Sequence, residues 1–157
     1  MAKAADIIKC DYANPKHTSA LISLLNAYMS DEMGGGKLLN KRTQISLIKK
    51  LTAHLTAIVL LAQSGGEFAG LLIAFENIAT FSAKPMINIH DIIVLKEYRG
   101  KGVGRQLMDA IINEAKKSGC ERITLEVRED NKIAQNLYKS MGFKDTEPRM
   151  LYWRKEL

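Results

Sequence analysis

The sequence predicts an α/β fold, a three-layer sandwich around a mixed, mostly antiparallel central sheet. Three observations carry that expectation. Four segments show apolar residues at helical spacing, with short strand-like runs between them. Two of those runs are joined only by Ser64-Gly65-Gly66-Glu67, the signature of a hairpin. No internal repeat, low-complexity tract or long linker interrupts the 157 residues, so residues 1–157 are expected to form a single domain.

Taken in order, residues 4–12 carry Ile7, Ile8 and Cys10 in a first apolar strand. Asn14-Pro15 opens a helix, because Asn14 can cap it and proline lacks only an N–H that would be unpaired there anyway. Leu21, Leu24, Leu25 and Tyr28 mark its inner face, and Gly34-Gly35-Gly36 ends it in a mobile loop. A second helix is expected over about 41–53, with Ile45, Ile48 and Leu51 inward. Residues 56–63 and 67–77 form the hairpin strands, and Ile78 to Lys84 reads as a connection. Met86 to Leu95 is the strongest strand. Val103, Leu107, Met108, Ile111, Ile112 and Ala115 then define an amphipathic helix that stops at Ser118-Gly119. Ile123, Leu125 and Val127 alternate with Thr124, Glu126 and Arg128 as a strand. A last helix starts at Asn131 with Ile133, Ala134, Leu137, Tyr138 and Met141 inward, ends at Gly142, and is followed by a final strand over Met150 to Trp153.

Composition narrows the function classes. Hydrophobic residues are 46% and charged residues 25%, the balance of a globular chain rather than a disordered one. The net charge of +6 suits a polyanionic ligand. Lys and Arg form no long basic helix and no aromatic-interleaved basic strand, so no nucleic-acid partner is expected. Cys10 and Cys120 cannot build a disulfide framework, which points to a reducing, cytoplasmic setting. No signal-type apolar core follows Met1 to Asp6, and no apolar run reaches ~18 residues, so no membrane partner is expected. No His, Cys, Asp or Glu cluster has metal-ligand spacing.

The main functional signal is a strand, then Arg99-Gly100-Lys101-Gly102-Val103-Gly104-Arg105, then a helix. Glycines let the backbone approach a ligand, and a helix N-terminus presents unpaired N–H groups and a positive dipole end. Together they make a phosphate site, with Arg99, Lys101 and Arg105 adding positive charge and no acid among them. Two other phosphate motifs fail. G-x-G-x-x-G would require glycine at Arg105 or at Leu107, and the P-loop pattern breaks at Val103 after Gly102.

Arg99-Gly100-Lys101-Gly102-Val103-Gly104 resembles the Q/R-x-x-G-x-G/A signature of the GCN5-related N-acetyltransferases (GNAT). Val94 stands five residues before Arg99 as in that family, although Lys96 replaces its usual proline. Asn131, Ala134, Leu137, Tyr138, Gly142 and Phe143 match the family's N-x-x-A-x-x-L-Y-x-x-x-G-F. The likeness is close over residues ~86–144, and element order extends it to the whole chain.

The resemblance implies a GNAT-like acyl-CoA N-acyltransferase fold with acetyl-CoA as co-substrate and no metal. It implies that Ile92, Ile93 and Val94 pair with the pantetheine arm like an added strand. Amides from Arg99 through Gly100, Lys101, Gly102 and Val103 to Gly104 would hold the pyrophosphate, with Arg105 beside them, and Asn131 would contact pantetheine or cap the last helix. Ile89–Leu95 and Arg122–Val127 would splay apart to admit the cofactor. Tyr138 stands where family members place a tyrosine that protonates the leaving thiolate, and an N–H near Val94 would stabilise the oxyanion.

The remaining chemistry is deprotonation of an amine whose ordinary pKa is ~10.4. His90 and Asp91 lie mid-strand, and alternation sends them to opposite faces, one of them the cleft. An imidazole titrates near neutrality and can accept the proton, whereas a carboxylate can bind a cationic acceptor. Asp31 and Glu32 could join Asp91 in holding such a cation, and Phe75, Phe81 and Trp153 could line its pocket. His17 and His54 read as solvated surface, and Cys10 and Cys120 as buried apolar residues. The acceptor is expected to be a small-molecule amine or a protein amine. A homodimer is open to the chain, with Leu151-Tyr152-Trp153 as a candidate contact. The competing reading is an acyl-CoA sensor or silent partner module of the same fold.

Overall fold

The computed structural model describes residues 5–157. Residue 4, the start of the first predicted strand, and the opening Met1 to Ala4 lie outside the described residues. The chain divides into two compact units, residues 1–126 and 127–157.

The first unit holds one five-stranded sheet in the order β1-β2-β3-β4-β5, with strands β1 (Asp6–Lys9), β2 (Ala57–Ser64), β3 (Glu67–Ala79), β4 (Lys84–Val94) and β5 (Ile123–Leu125). The first four pair antiparallel, and β5 pairs parallel to β4, as expected of a mixed sheet. The predicted connection after residue 77 is shorter than the sequence implied. β3 runs on to Ala79 and β4 begins at Lys84, because Ile78 and Ala79 still find ladder partners in Pro85 and Lys84.

Helices cover both faces. Helices α1 (Pro15–Met29) and α2 (Lys41–Ala53) bury Ala20, Leu21, Leu24 and Leu51 against Val59, Leu61, Leu71, Ile73 and Ile93. Those sheet residues share one side of the pleat. Asn14 caps α1 as predicted, its side-chain oxygen accepting from Lys16 N–H at 2.9 Å. Helix α3 (Val103–Lys117) buries Val103, Leu107, Met108, Ile111 and Ala115 on the other side. Gly70 lets it approach: a Cβ there would lie 3.1 Å from Leu107 Cδ1 and 3.2 Å from Val103 Cγ1.

Two inward assignments and one strand end are corrected. Ile45 is 62% exposed, and Leu47 packs against the core instead, beside Ile48, which is inward as expected. Ile133 is exposed as well. The strand predicted through Val127 stops at Leu125, where the chain passes into the second unit.

The second unit contains α4 (Lys132–Ser140). Asn131 caps it, accepting from Ala134 N–H at 3.1 Å. Gln135 Nε2 donates to the carbonyls of Arg128 and Glu129, both at 2.9 Å, which folds the preceding charged run into a turn. Gly142 adopts φ +90° just past the helix, a conformation that favours glycine. The predicted final strand does not form. Met150, Leu151, Tyr152 and Trp153 have strand-forming side chains, yet no ladder partner pairs with them among the described residues, and all four are exposed. β-propensity is a preference for a pleated, half-buried surface and makes no strand without one.

Candidate active site

The site is built from the last half of β4 and the turn that follows it. The β4–β5 ladder runs only over Ile87↔Ile123, Asn88↔Thr124 and Ile89↔Leu125. Beyond Ile89, β4 continues to Val94 with β3 on one side only. Leu95 N–H donates to Ala69 O at 3.0 Å, toward β3. Backbone groups alternate along a strand, so Val94 N–H and C=O point the other way, along the open edge. Ile92, two residues back, presents its own pair on the same edge.

The open edge leads through a single 3-10 turn (Lys96–Tyr98) into the glycine loop. Gly100 and Gly102 have φ +74° and +85°, and a Cβ on either would meet nothing within 4 Å. Gly102 in this left-handed conformation starts α3, and Gln106 N–H is the first to return to it, at 3.0 Å. The N–H groups of Gly102, Val103 and Gly104 therefore have no intrahelical acceptor. Val103 is buried and anchors this turn to the sheet. A strand edge of amide donors and acceptors, followed by a backbone cradle at a positive dipole end, fits an amide-bearing arm that ends in a diphosphate.

Two of the loop's cations, Arg99 and Lys101, do not act alike. Arg99 turns back: Nε donates to Val94 O at 3.0 Å and Nη2 to Asp31 Oδ2 at 2.8 Å. Lys101 Nζ lies 5.4 Å from the Tyr98 ring centroid. Asp31 is thus engaged by Arg99, and it departs from the expectation that it is available for a cationic acceptor. Its carboxyl is held below the usual range by the Arg99 hydrogen bond first and the Met33 N–H second. A cavity of about 250 Å³ lies against this bridge, lined by Tyr28, Asp31, Ile93, Val94, Lys96 and Arg99 among others.

His90 and Asp91 depart from simple alternation. Ala74 faces Ile89 and Ile73 faces Asp91, so His90 is an extra residue, a bulge in β4. Asp91 follows Ile73 onto the α1/α2 face. The His90 ring meets Phe75 edge-on at 5.8 Å, and Phe75 packs against the core on that same face. The bulge therefore brings both side chains to one face, against the expectation of opposite faces. Burial pushes the Asp91 carboxyl up, and His90 acts in the opposite direction.

His54 is exposed, as expected, although its ring has a partner. It packs on Phe75 at 4.9 Å, and its Nδ1 accepts from Thr56 N–H at 3.3 Å. His17 Nδ1 accepts from Asp11 N–H at 3.0 Å, and its ring meets Phe68 edge-on. Phe81 and Trp153 are exposed. Cys10 and Cys120 are only half-buried. In the second unit Tyr138 is buried, 6.0 Å ring to ring from Phe143, and the Asn131 side-chain oxygen serves the helix cap. Among the described residues, no group of three or more His, Cys, Asp or Glu could hold a metal ion. No helix among them is long and apolar enough to cross a membrane.

Sequence reasoning missed Asp31 as the partner of Arg99 and Phe75 as the shared contact of two histidines. Neither carries a local signal, since the partners are far apart along the chain.

Relatives share this framework. An aminoglycoside N(6')-acetyltransferase type 1 of Salmonella typhimurium is 27% identical over 103 residues, 65% of this chain and 70% of that protein. The N-alpha-acetyltransferase RimI of Mycobacterium tuberculosis is 34% identical over 92 residues, 57% of this chain and 56% of that one. The uncharacterized N-acetyltransferase YhfO of Bacillus subtilis is 28% identical over 89 residues, 57% of this chain and 60% of that one. Among solved structures, a probable acetyltransferase superposes with TM-score 0.82 at 23% identity, covering 97% of this chain and 98% of its own. AAC(6')-Iy, in complex with a CoA-based bisubstrate analog, superposes with TM-score 0.78 at 20% identity, covering 99% of this chain and 100% of its own. Residues 21–143 match the acetyltransferase (GNAT) family, and the chain belongs to that family of acetyl-CoA-dependent enzymes.

Proposed function

We propose that the chain moves an acetyl group from acetyl-CoA to a primary amine, by direct attack of the amine in a ternary complex. The observation that carries this is the edge of β4. It leaves β5 at Ile89, stays open to Val94, and ends at a glycine turn on the N-terminus of a buried helix. When bound, acetyl-CoA supplies an activated acyl group and a thiolate leaving group.

The chain's own residues do the rest. The outward backbone groups of Ile92 and Val94 orient the arm of the donor, with Ile93 between them paired to β3. The loop from Arg99 to Arg105 receives the diphosphate on the N–H groups that follow Arg99, whose own N–H donates to Lys96 O and whose guanidinium is held by Val94 O and Asp31. Val94 N–H points along the open edge, where it can donate to the developing oxyanion. Asp91 accepts the amine proton, directly or by way of His90. Its raised pKa makes it a stronger base than an ordinary carboxylate. Tyr138 is the proton donor to the leaving thiolate, a modest task because a thiol has pKa ~8.5. The acceptor is a small-molecule amine or a protein N-terminus, the two classes named by the relatives.

The test is a melting curve with saturating acetyl-CoA or CoA, and with NAD or ATP as controls. A ligand at 100 times its Kd adds about 2.7 kcal/mol. That corresponds to a rise of roughly 5–10 °C for a chain of this size. Thiol release would then be followed with sisomicin, spermidine and an alanine-initiated peptide. A shift with both CoA species and turnover on one amine is expected. A shift without turnover on any amine supports the sensor reading, and no shift with acetyl-CoA refutes the assignment of the loop.

A further inference from the structure

We propose that Asp31 is a positioning residue for acetyl transfer, acting through Arg99 on Val94; this rests on the reading of β4 above. The guanidinium joins two points that are otherwise separate. Its Nε donates to Val94 O at 3.0 Å, and its Nη2 donates to Asp31 Oδ2 at 2.8 Å. The acid is the fixed member of the pair. Asp31 Oδ1 accepts from Met33 N–H at 3.2 Å, and its own N–H donates to Tyr28 O at 2.9 Å. Its side chain is 10% exposed, against 47% for Arg99.

An arginine so exposed, without a fixed partner, would spread over many rotamers. Asp31 holds it in the one that covers the Val94 carbonyl. That carbonyl shares the open edge with Val94 N–H, the donor assigned to the oxyanion. Two consequences follow. Fixing the carbonyl fixes the end of β4, and with it the direction of the N–H of the same residue. The cation also offsets the negative end of a carbonyl dipole that would otherwise repel a developing oxyanion nearby. The residue thus supports the transition state more than it supports binding of the donor.

The test compares wild type with Asp31→Asn, Asp31→Glu and a control, Glu114→Gln, which removes the surface pair Lys9–Glu114 at 2.7 Å. Three readouts are taken: amide hydrogen exchange in the ligand-free protein at Leu95, whose N–H closes the end of β4 on Ala69 O, Kd for CoA by calorimetry, and kcat and KM with acetyl-CoA. The kinetics use whichever of the three amine probes above is turned over. Asp31→Asn is expected to speed Leu95 exchange about 10-fold and lower kcat about 10-fold. Kd for CoA and KM for acetyl-CoA should stay within about 2-fold, the pattern of an interaction lost in the transition state. Asp31→Glu should restore more than half of both losses, and Glu114→Gln should show neither. Wild-type exchange and kcat in Asp31→Asn, or equal losses in Glu114→Gln, overturn the proposal. Should Asp31→Asn not fold, Asp31→Glu decides: wild-type values support the link, and the full 10-fold loss overturns it. Failure of the wild type to bind CoA sinks the enzyme reading, whereas Leu95 exchange still scores the Asp31–Arg99 link in the free protein.

Discussion

Replacing Gly70 by alanine adds one methyl group at the point where α3 rests on the sheet. Built on the existing backbone, that Cβ lies 2.9 Å from Ile93 O, 3.1 Å from Leu107 Cδ1 and 3.2 Å from Val103 Cγ1. Comfortable carbon contacts begin near 3.5 Å. The Ile93 carbonyl belongs to β4, which is paired here with β3, and cannot retreat without disturbing the ladder. Leu107 and Val103 are buried, with 0% and 3% exposure, so α3 must give. Overpacking of this kind costs about 1–3 kcal/mol. Stiffening the unfolded chain returns about 0.4–1 kcal/mol, because Gly70 is not in a left-handed conformation. The net loss is about 1–2 kcal/mol, a fall in Tm of roughly 2–8 °C. Since the displaced turn also carries the N–H groups of Val103 and Gly104, affinity for CoA should fall as well. The assay is a thermal melt with and without CoA. A Tm at or above that of wild type refutes the claim that Gly70 sets the seat of α3.

Three more outcomes are expected. Gly34→Ala should disrupt the end of α1 more severely than Gly70→Ala, since its Cβ would clash with the Tyr28 carbonyl and its neighbours; an unchanged melt rejects that packing. Asp91→Asn should raise Tm at pH 7. The folded-state carboxyl titrates above its unfolded value, so ionising it opposes folding as pH rises through that interval. The gain should vanish in acid, where the wild-type carboxyl is protonated, and kcat should fall at the same time. Cys10, its thiol pushed up to about 11 by burial first and Asp11 second, should resist iodoacetamide at pH 8 in the folded protein. Labelling at the rate of a free thiol contradicts that environment.

Local chemistry made most of the framework legible in the sequence. The helical stripe Val103, Leu107, Met108, Ile111 and Ala115 is buried as its spacing predicts. Asn14 and Asn131 cap helices, and Gly119 and Gly142 take positive φ just past helix ends. The glycine loop stands at a strand–helix junction, where its residue types can work. All of these depend on neighbours within a turn or two, which is why spacing alone predicts them. Ile45, Ile133 and the Met150–Trp153 segment failed for one common reason: an apolar residue is buried only if another element covers it, and coverage is not a local property.

The sequence by itself determined the elements from β1 to α4, their order and the kind of ligand that the Arg99–Gly104 loop suits, because these follow from side-chain periodicity and backbone freedom. Only the tertiary structure decided what the site does with its charges. The bulge that turns His90 to the same face as Asp91 arises from register between β3 and β4. The guanidinium of Arg99 goes to Asp31 and Val94 rather than outward, because folding brings α1 alongside the end of β4. Register and long-range ion pairs belong to the closed chain, where residues 68 positions apart become neighbours at 2.8 Å.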